Sequence, residues 1–212
     1  MSSRLFPPGI PKTKRLLDLL LTIPGGLLLS PFILLTAVLV RIFHGSPVLF
    51  QHTRPGYRSE LFTLLKFRTM TDAHNVQGTL LPDAQRLTVL GRFLRATSLD
   101  ETPELYNVIR GDMSLVGPRP LLFHYLERYT PEQARRQDVL PGITGWAQIN
   151  GRNNVSWEDK FELDVWYVDN WSVWLDLKIL LRTPWKVLVR EGINEPGNAT
   201  AREFIGSQDV EN

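Results

Sequence analysis

The chain has no cysteine among its 212 residues. That excludes disulfides and thiolate-held metals, and it is compatible with a reducing compartment. Neither sign of charge dominates: 24 Lys and Arg stand against 22 Asp and Glu, too even a balance to point to a nucleic-acid partner. No HExxH spacing suggests zinc, and no Gly-x-x-x-x-Gly-Lys-Ser/Thr loop suggests a P-loop nucleotide hydrolase. Internal repeats and low-complexity tracts are missing too. The length fits one domain with an appendage and is enough to bury a core.

What is present begins with an apolar run, "LLDLLLTIPGGLLLSPFILLTAVLVRI", from Leu16 to Ile42. A secretory signal would need a shorter apolar region and a small-residue cleavage site, which this stretch lacks. A straight helix here would be roughly 40 Å long at ~1.5 Å per residue, enough to span a bilayer. Its middle argues against a straight span. Pro31 has no N–H and its ring meets the carbonyl four residues back, on Leu27. The Ser30 hydroxyl stands where it can satisfy that carbonyl, as lipid-buried breaks require. Pro24, Gly25 and Gly26 loosen the first half further. On this reading Ser30-Pro31 breaks the helix into two halves, each too short to cross, and a kinked spanning helix is the competing form. Lys12, Lys14 and Arg15 before the run and Arg41, Arg54 and Arg58 after it put positive charge on both flanks, which suits both ends lying on one side. Asp18 is expected at headgroup level.

Beyond Ile42, the runs Val48–His52 and Leu61–Phe67 flank the turn residues Arg54-Pro55-Gly56 and predict a β-hairpin. Residues 71–86 read as a long polar loop, followed by a short helix over 86–95. Next comes "RATSLDETPE", with Asp100 and Glu101 adjacent. Either Ser98 and Glu101 form a capping box, or Thr102 caps with Pro103 in the first turn. Both place the carboxylate pair at the start of a helix that Gly111 stops. Such a start can hold a phosphate, and it also suits ordinary solvated acids. Gly117, Pro118 and Pro120 fix a rigid loop around Arg119, whose fork suits phosphate. "PGITGWAQINGRN" is another glycine-punctuated stretch, ending in Arg152-Asn153. Arginines on several such loops around a carboxylate pair suit a polyanion. A carboxylate can attack phosphorus, and two adjacent acids facing a diphosphate call for a divalent cation, with Mg²⁺ held through Asp100 and substrate phosphates. Near the end, Trp174, Leu177, Leu181, Trp185 and Leu188 form an apolar stripe beside Lys178, Arg182, Lys186 and Arg190. That is the pattern of a helix lying on an anionic membrane, and core helices share the periodicity. Pro184 is expected to divide this run.

The stretches "SPFILLTAVLVRI", "KFRTM", "SLDE", "NVIRGDMSLVGPRPL", "PGITGWAQINGRN" and "KFELDVWYV" resemble, in order and over nearly the whole chain, the small monotopic phosphoglycosyl transferases of the bacterial sugar transferase family, with the closest likeness to the PglC type. The resemblance implies an α+β, mainly helical fold. Residues 1–43 would form a re-entrant membrane helix broken at Ser30-Pro31, and residues 44–212 a catalytic domain at the membrane interface. It implies transfer of a sugar 1-phosphate from a UDP-sugar, in the PglC type UDP-N,N'-diacetylbacillosamine, to polyprenyl (undecaprenyl) phosphate, with release of UMP. Asp100 would be the nucleophile and Glu101 its partner in proton transfer or acceptor positioning. Arg95, Arg119-Pro120, Arg152-Asn153 and Lys66 would bind substrate. Mg²⁺ as cofactor, the cytoplasmic face of the bacterial inner membrane, surrounding membrane lipid and downstream glycosyltransferases complete the expectation. A UDP-hexose is the alternative donor; a phosphohydrolase using water and a non-enzymatic membrane scaffold are the rival functions. The dyad departs from the family pattern in the following "TPEL", where Glu104 adds a third acid.

Overall fold

The computed structural model describes residues 5–151, 156–189 and 203–206. Helix α1, Lys12–His44, runs unbroken through Pro24 and Pro31. The Ser30 hydroxyl donates to the Leu27 carbonyl at 2.8 Å, so the acceptor displaced by Pro31 is satisfied within the helix. The expected break is therefore a repaired site inside one helical element, with no loop between the halves.

The polarity of α1 is inverted. Its buried residues are Lys14, Arg15, Asp18, Thr22, Thr36 and Val40, only one of them apolar. Leu27 is 71% exposed, Leu28 78% and Leu34 66%, and ten more large apolar side chains of α1 are also exposed. Forgoing burial of such side chains in water costs ~1.5–3 kcal/mol each. Thirteen of them exceed the ~5–15 kcal/mol by which folded domains are stable. Lipid, not water, is the solvent this surface suits.

Lys14, Arg15 and Asp18 correct the expectation of a solvated basic flank and a headgroup-level acid. Lys14 Nζ uses all three donors, on Val116 O (2.8 Å), Tyr167 Oη (3.0 Å) and Asp176 Oδ2 (2.8 Å). Asp176 also accepts from Tyr167 Oη at 2.7 Å and Trp171 Nε1 at 3.0 Å. Arg15 donates to Val108 O at 2.9 Å and Met113 O at 3.3 Å, while Asp18 accepts from Ser114 Oγ at 2.8 Å and Leu115 N at 3.0 Å. At the other end Val40 packs with Phe67 and Leu94, and His44 Nε2 lies 2.7 Å from Thr88 Oγ1. Both ends of α1 are thus fastened to the rest of the chain, with the exposed middle between them.

The hairpin forms as expected: β1, Leu49–Pro55, pairs antiparallel with β2, Leu61–Phe67, with Arg54 opposite Phe62, His52 opposite Leu64 and Phe50 opposite Lys66. Side chains alternate along a strand, so Arg54, His52, Leu64 and Lys66 share one face. The polar stretch after β2 holds only the short α2, Asp83–Arg86, before α3, Val89–Ala96. A 3₁₀ turn at Leu99–Glu101 leads into α4, Glu104–Arg110, which Gly111 ends at φ 90°. The strand β3, Ser114–Val116, and, after the short α5, Pro131–Ala134, the strand β4, Gly142–Thr144, make a parallel pair that the sequence reading did not foresee. Gly117 and Gly142 let the two backbones touch: a Cβ on Gly142 would lie 2.1 Å from Gly117 N, and one on Gly117 2.3 Å from Leu140 O.

Helices α6, Trp146–Asn150, α7, Trp157–Asn170, and α8, Val173–Val189, close the structure. Val116, Ile149, Tyr167, Leu175 and Ile179 form their common core. Pro184 does not divide α8, which continues through it. The face with Leu175, Asp176 and Ile179 is buried, whereas Trp174, Leu181 and Trp185 are 75%, 79% and 69% exposed. Three members of the predicted stripe therefore lie outside the core, as a membrane-surface helix requires, whereas Leu177 is half-buried. Arg190 lies outside the described residues.

Because Lys14 is 2% exposed, replacing Asp176 by Ala removes the carboxylate paired with a buried ammonium and takes away the acceptor of Trp171 Nε1, while Tyr167 Oη keeps the Val116 carbonyl. The expected loss is about 3–5 kcal/mol, on the order of 10 °C in the unfolding midpoint of the detergent-solubilised chain. A midpoint within a degree or two of wild type would remove this network from the stability argument.

Candidate active site

The dyad sits in a tight turn. Ser98 takes the left-handed conformation at φ 57° and makes no side-chain cap, and Thr102 donates its hydroxyl to Leu99 O at 2.8 Å, so neither predicted cap forms. The turn presents Asp100 and Glu101 in different surroundings, and the difference assigns their chemistry.

Glu101 is clamped. Lys66 Nζ donates to its Oε1 at 2.6 Å, and Arg119 donates through Nη2 to Oε1 and through Nη1 to Oε2 at 3.4 Å. Burial alone would raise its pKa, but the Arg119 and Lys66 charges outweigh burial and hold Glu101 down at about 2. A carboxylate held that low stays ionised near neutrality. One anion thereby fixes two long cationic side chains beside the turn.

Asp100 is also buried, at 8% exposure, yet no hydrogen bond or ion pair to its carboxylate occurs among the described residues. Burial, then the neighbouring Glu101, raise its pKa, against Lys66, Arg119 and Arg95. An anion with few partners, partly stripped of water and facing three cations, is prepared to attack an electrophile rather than to hold a structure. Arg95 is held by Nε donating to Thr69 Oγ1 at 3.1 Å.

Arg119 is fixed from behind. Arg136 Nη2 donates to the Arg119 carbonyl at 2.7 Å, and the buried Arg136 is itself paired with Asp164 at 2.8 Å. The glycine contact of β3 with β4 seats the loop that carries Arg119 and Pro120. Asp100, Glu101, Lys66, Arg95, Arg119 and Pro120 therefore gather as expected. Arg152 and Asn153 lie outside the described residues.

Two residues have larger parts than the sequence reading gave them. Glu104, noted there only as a departure, is 2% exposed and 3.2 Å from Lys66 Nζ. Burial, opposed by Lys66 and reinforced by Glu101, lifts it to about 7. Arg54, read as flanking charge, lines a small cavity of about 40 Å³ with Leu64, Lys66, Glu104, Arg119 and Pro120. Strand parity was the available signal, since Arg54 and Lys66 fall on one face once Arg54 is paired with Phe62.

The match to the family described as "Bacterial sugar transferase" covers residues 11–190. The chain belongs to the bacterial sugar transferase family. It is 60% identical over 197 residues to the "Uncharacterized sugar transferase EpsL" of Bacillus subtilis, covering 93% of this chain and 98% of that protein. It is 42% identical to the "Undecaprenyl-phosphate galactose phosphotransferase" of Salmonella typhimurium, over 70% of this chain and 35% of that protein. It is 40% identical to the "UDP-glucose:undecaprenyl-phosphate glucose-1-phosphate transferase" of Caulobacter vibrioides, over 80% of this chain and 67% of that protein. The last two of these are named for galactose and glucose, and the first for no particular sugar. The acetamido sugar of the PglC type therefore finds no support, and the hexose alternative fits better.

Glu104 gives this family member a testable acid–base signature. Its folded pKa is raised, so the folded state keeps a proton that the unfolded chain loses above 4.5, and its contribution falls as pH rises from 4.5 to about 7. Glu104→Gln is expected to leave stability at pH 4 unchanged and to raise it at pH 8, by at most ~3 kcal/mol at ~1.4 kcal/mol per pH unit. Denaturant unfolding at the two pH values measures this; equal effects at both would show that folding does not shift the Glu104 pKa.

Proposed function

We propose that this chain transfers hexose 1-phosphate, from UDP-galactose or UDP-glucose, to polyprenyl phosphate of the undecaprenyl class, giving polyprenyl-diphosphate-hexose and UMP. The observation that carries the reading is the contrast within the dyad, where Glu101 is locked by Lys66 and Arg119 while Asp100 has no partner among the described residues. In the first step an Asp100 oxygen bonds to the phosphorus that bears the sugar, and the bond from that phosphorus to the UMP oxygen breaks. In the second, an oxygen of polyprenyl phosphate takes the same phosphorus and frees Asp100. Lys66 and Arg119, already oriented by Glu101, stabilise the developing phosphate charge without reorganising. Arg95 faces the same charge.

A divalent cation fits this site. No group of three or more His, Cys, Asp or Glu positioned for a metal occurs among the described residues, and Mg²⁺ characteristically binds through one or two carboxylates plus substrate phosphates. The unpaired Asp100 supplies one carboxylate, and the ion would neutralise diphosphate charge.

We further propose that α1 enters the cytoplasmic leaflet of the bacterial inner membrane and returns, with α8 lying on the surface. The inverted polarity of α1, the fastening of both its ends to the rest of the chain and the exposed Trp174, Leu181 and Trp185 support this. The chain's natural lack of cysteine makes the topology measurable. Lys12→Cys and Arg41→Cys, both at exposed positions, should be labelled by an impermeant thiol reagent in inside-out vesicles and protected in right-side-out ones. Opposite labelling of the two ends would establish a spanning helix instead.

The reaction is tested by UMP release from UDP-galactose, UDP-glucose and UDP-N,N'-diacetylbacillosamine, with Mg²⁺, with and without undecaprenyl phosphate. Sustained release with a hexose donor only when the lipid is present, and a loss of at least ~10³-fold in Asp100→Asn, is expected for a nucleophile. Intact-protein mass should also show a hexose-phosphate adduct that Asp100→Asn lacks. Continuous sugar-phosphate release without lipid would identify a phosphohydrolase, and full activity of Asp100→Asn would overturn the dyad reading.

A further inference from the structure

The cavity beside the dyad has a charge imbalance that the transfer chemistry above does not use. Four polar side chains line it: Arg54, Lys66, Glu104 and Arg119. Lys66 and Arg119 share the single negative charge of Glu101, and Lys66 also meets Glu104, so the cluster stays net positive even before Arg54 is counted. Arg54 has no carboxylate partner among the described residues. Its Nη2 lies 3.2 Å from His52 Nδ1, and its Nε is buried without a hydrogen-bond partner among the described residues. Burial, with Arg119 next, presses the Arg54 pKa down, so the guanidinium is held in a setting that disfavours its charge. A buried donor without an acceptor is costly, and an incoming anion would remove that cost.

Size and shape narrow the anion. One water needs ~10–15 Å³, so a cavity of about 40 Å³ holds roughly three waters, near the bulk of a phosphate group. The fork of Arg54 matches phosphate oxygens. Its strand places it on the same hairpin face as Lys66, and it lines the same cavity as Arg119.

We propose that Arg54, with Lys66 and Arg119, forms one phosphate subsite used twice: first by the phosphate of departing UMP, then by the phosphate of the polyprenyl acceptor. The inference rests on the Asp100 reading. In-line displacement puts the leaving oxygen opposite Asp100, and the acceptor oxygen attacks the same phosphorus from that same side. The two phosphates therefore need one position in turn. Arg54 supplies the charge that Glu101 leaves uncompensated there, and it makes the subsite indifferent to whether uridine or a lipid is attached.

The test uses the full chain in nanodiscs, in wild type and in an Asp100→Asn background where no transfer occurs. In that background, UMP binding is measured by calorimetry and challenged with undecaprenyl phosphate, with uridine as the control lacking phosphate. Undecaprenyl phosphate should displace UMP. Arg54→Met should weaken both phosphate ligands by ~10–100-fold, the range for losing a charge-assisted hydrogen bond, and leave uridine binding unchanged. Arg54→Lys should recover part of both affinities, and it carries the test if Arg54→Met does not fold. Weakening of only one ligand, or binding of both at once, overturns the shared subsite; no change in either overturns the role of Arg54. Because these are binding measurements, they stand apart from the transfer assay: absent turnover with every UDP-sugar would overturn the proposed reaction, whatever Arg54 does to UMP.

Discussion

A charged anchor inside an apolar helix governs the architecture. Lys14, Arg15 and Asp18 would be expensive anywhere in hydrocarbon and hardly less so buried alone. They persist because each is fully partnered: Lys14 by Asp176, Tyr167 and a carbonyl; Arg15 by carbonyls at the end of α4; Asp18 by Ser114 and a backbone N–H. The same contacts fix α4 and β3 relative to α1. The turn bearing the dyad immediately precedes α4, and the loop bearing Arg119 immediately follows β3. The position of Asp100 relative to α1 is thus set by the contacts that these same two elements make with Lys14, Arg15 and Asp18.

Within the site, two adjacent acids come to differ through their neighbours alone. Glu101 receives two cations and becomes a fixture; Asp100 receives burial and stays available. Environment divides the roles of like groups elsewhere in enzyme chemistry by the same means. Here the division also orders the cations, since Lys66 and Arg119 reach the dyad from a hairpin and from a proline-bounded loop and meet at Glu101. Glu104, one turn further on, completes the arrangement as a buried acid whose proton is held to about pH 7.

Local rules carried the sequence a long way. Strand alternation and the Pro-Gly turn gave the hairpin, a glycine gave the end of α4, and the Ser30 hydroxyl served the carbonyl that Pro31 displaces. The dyad, Lys66, Arg95 and Arg119 were legible through motif order. What escaped depended on distant partners. Nothing adjacent to Lys14 or Asp18 reveals that Asp176 and Ser114 will enclose them, so both looked like interfacial charge. The pairing of β3 with β4 rests on a backbone approach between glycines separated by a long stretch of chain, and three-residue strands leave no periodic trace. Pro184 was read as a breaker by a local rule, yet α8 continues through it. The surroundings of Glu104 and Arg54 likewise exist only after the hairpin meets α4.

The sequence distance inside the anchor bears on how the protein is made. Lys14 and Asp176 are 162 residues apart, and Asp18 and Ser114 are 96 apart. At ~5–20 residues per second, a ribosome delivers Asp176 roughly 8–30 s after Lys14. Throughout that interval Lys14 lacks Asp176, although Arg15 and Asp18 can pair with each other within the helix. The nascent chain must therefore wait at the bilayer with Lys14, Arg15 and Asp18 at the water boundary, and the last helices lock a segment that has already met the membrane. With α1 placed in the membrane as proposed, insertion precedes closure of the fold, so faults in the late tryptophan-rich helices should surface as a defect in seating the earliest residues made.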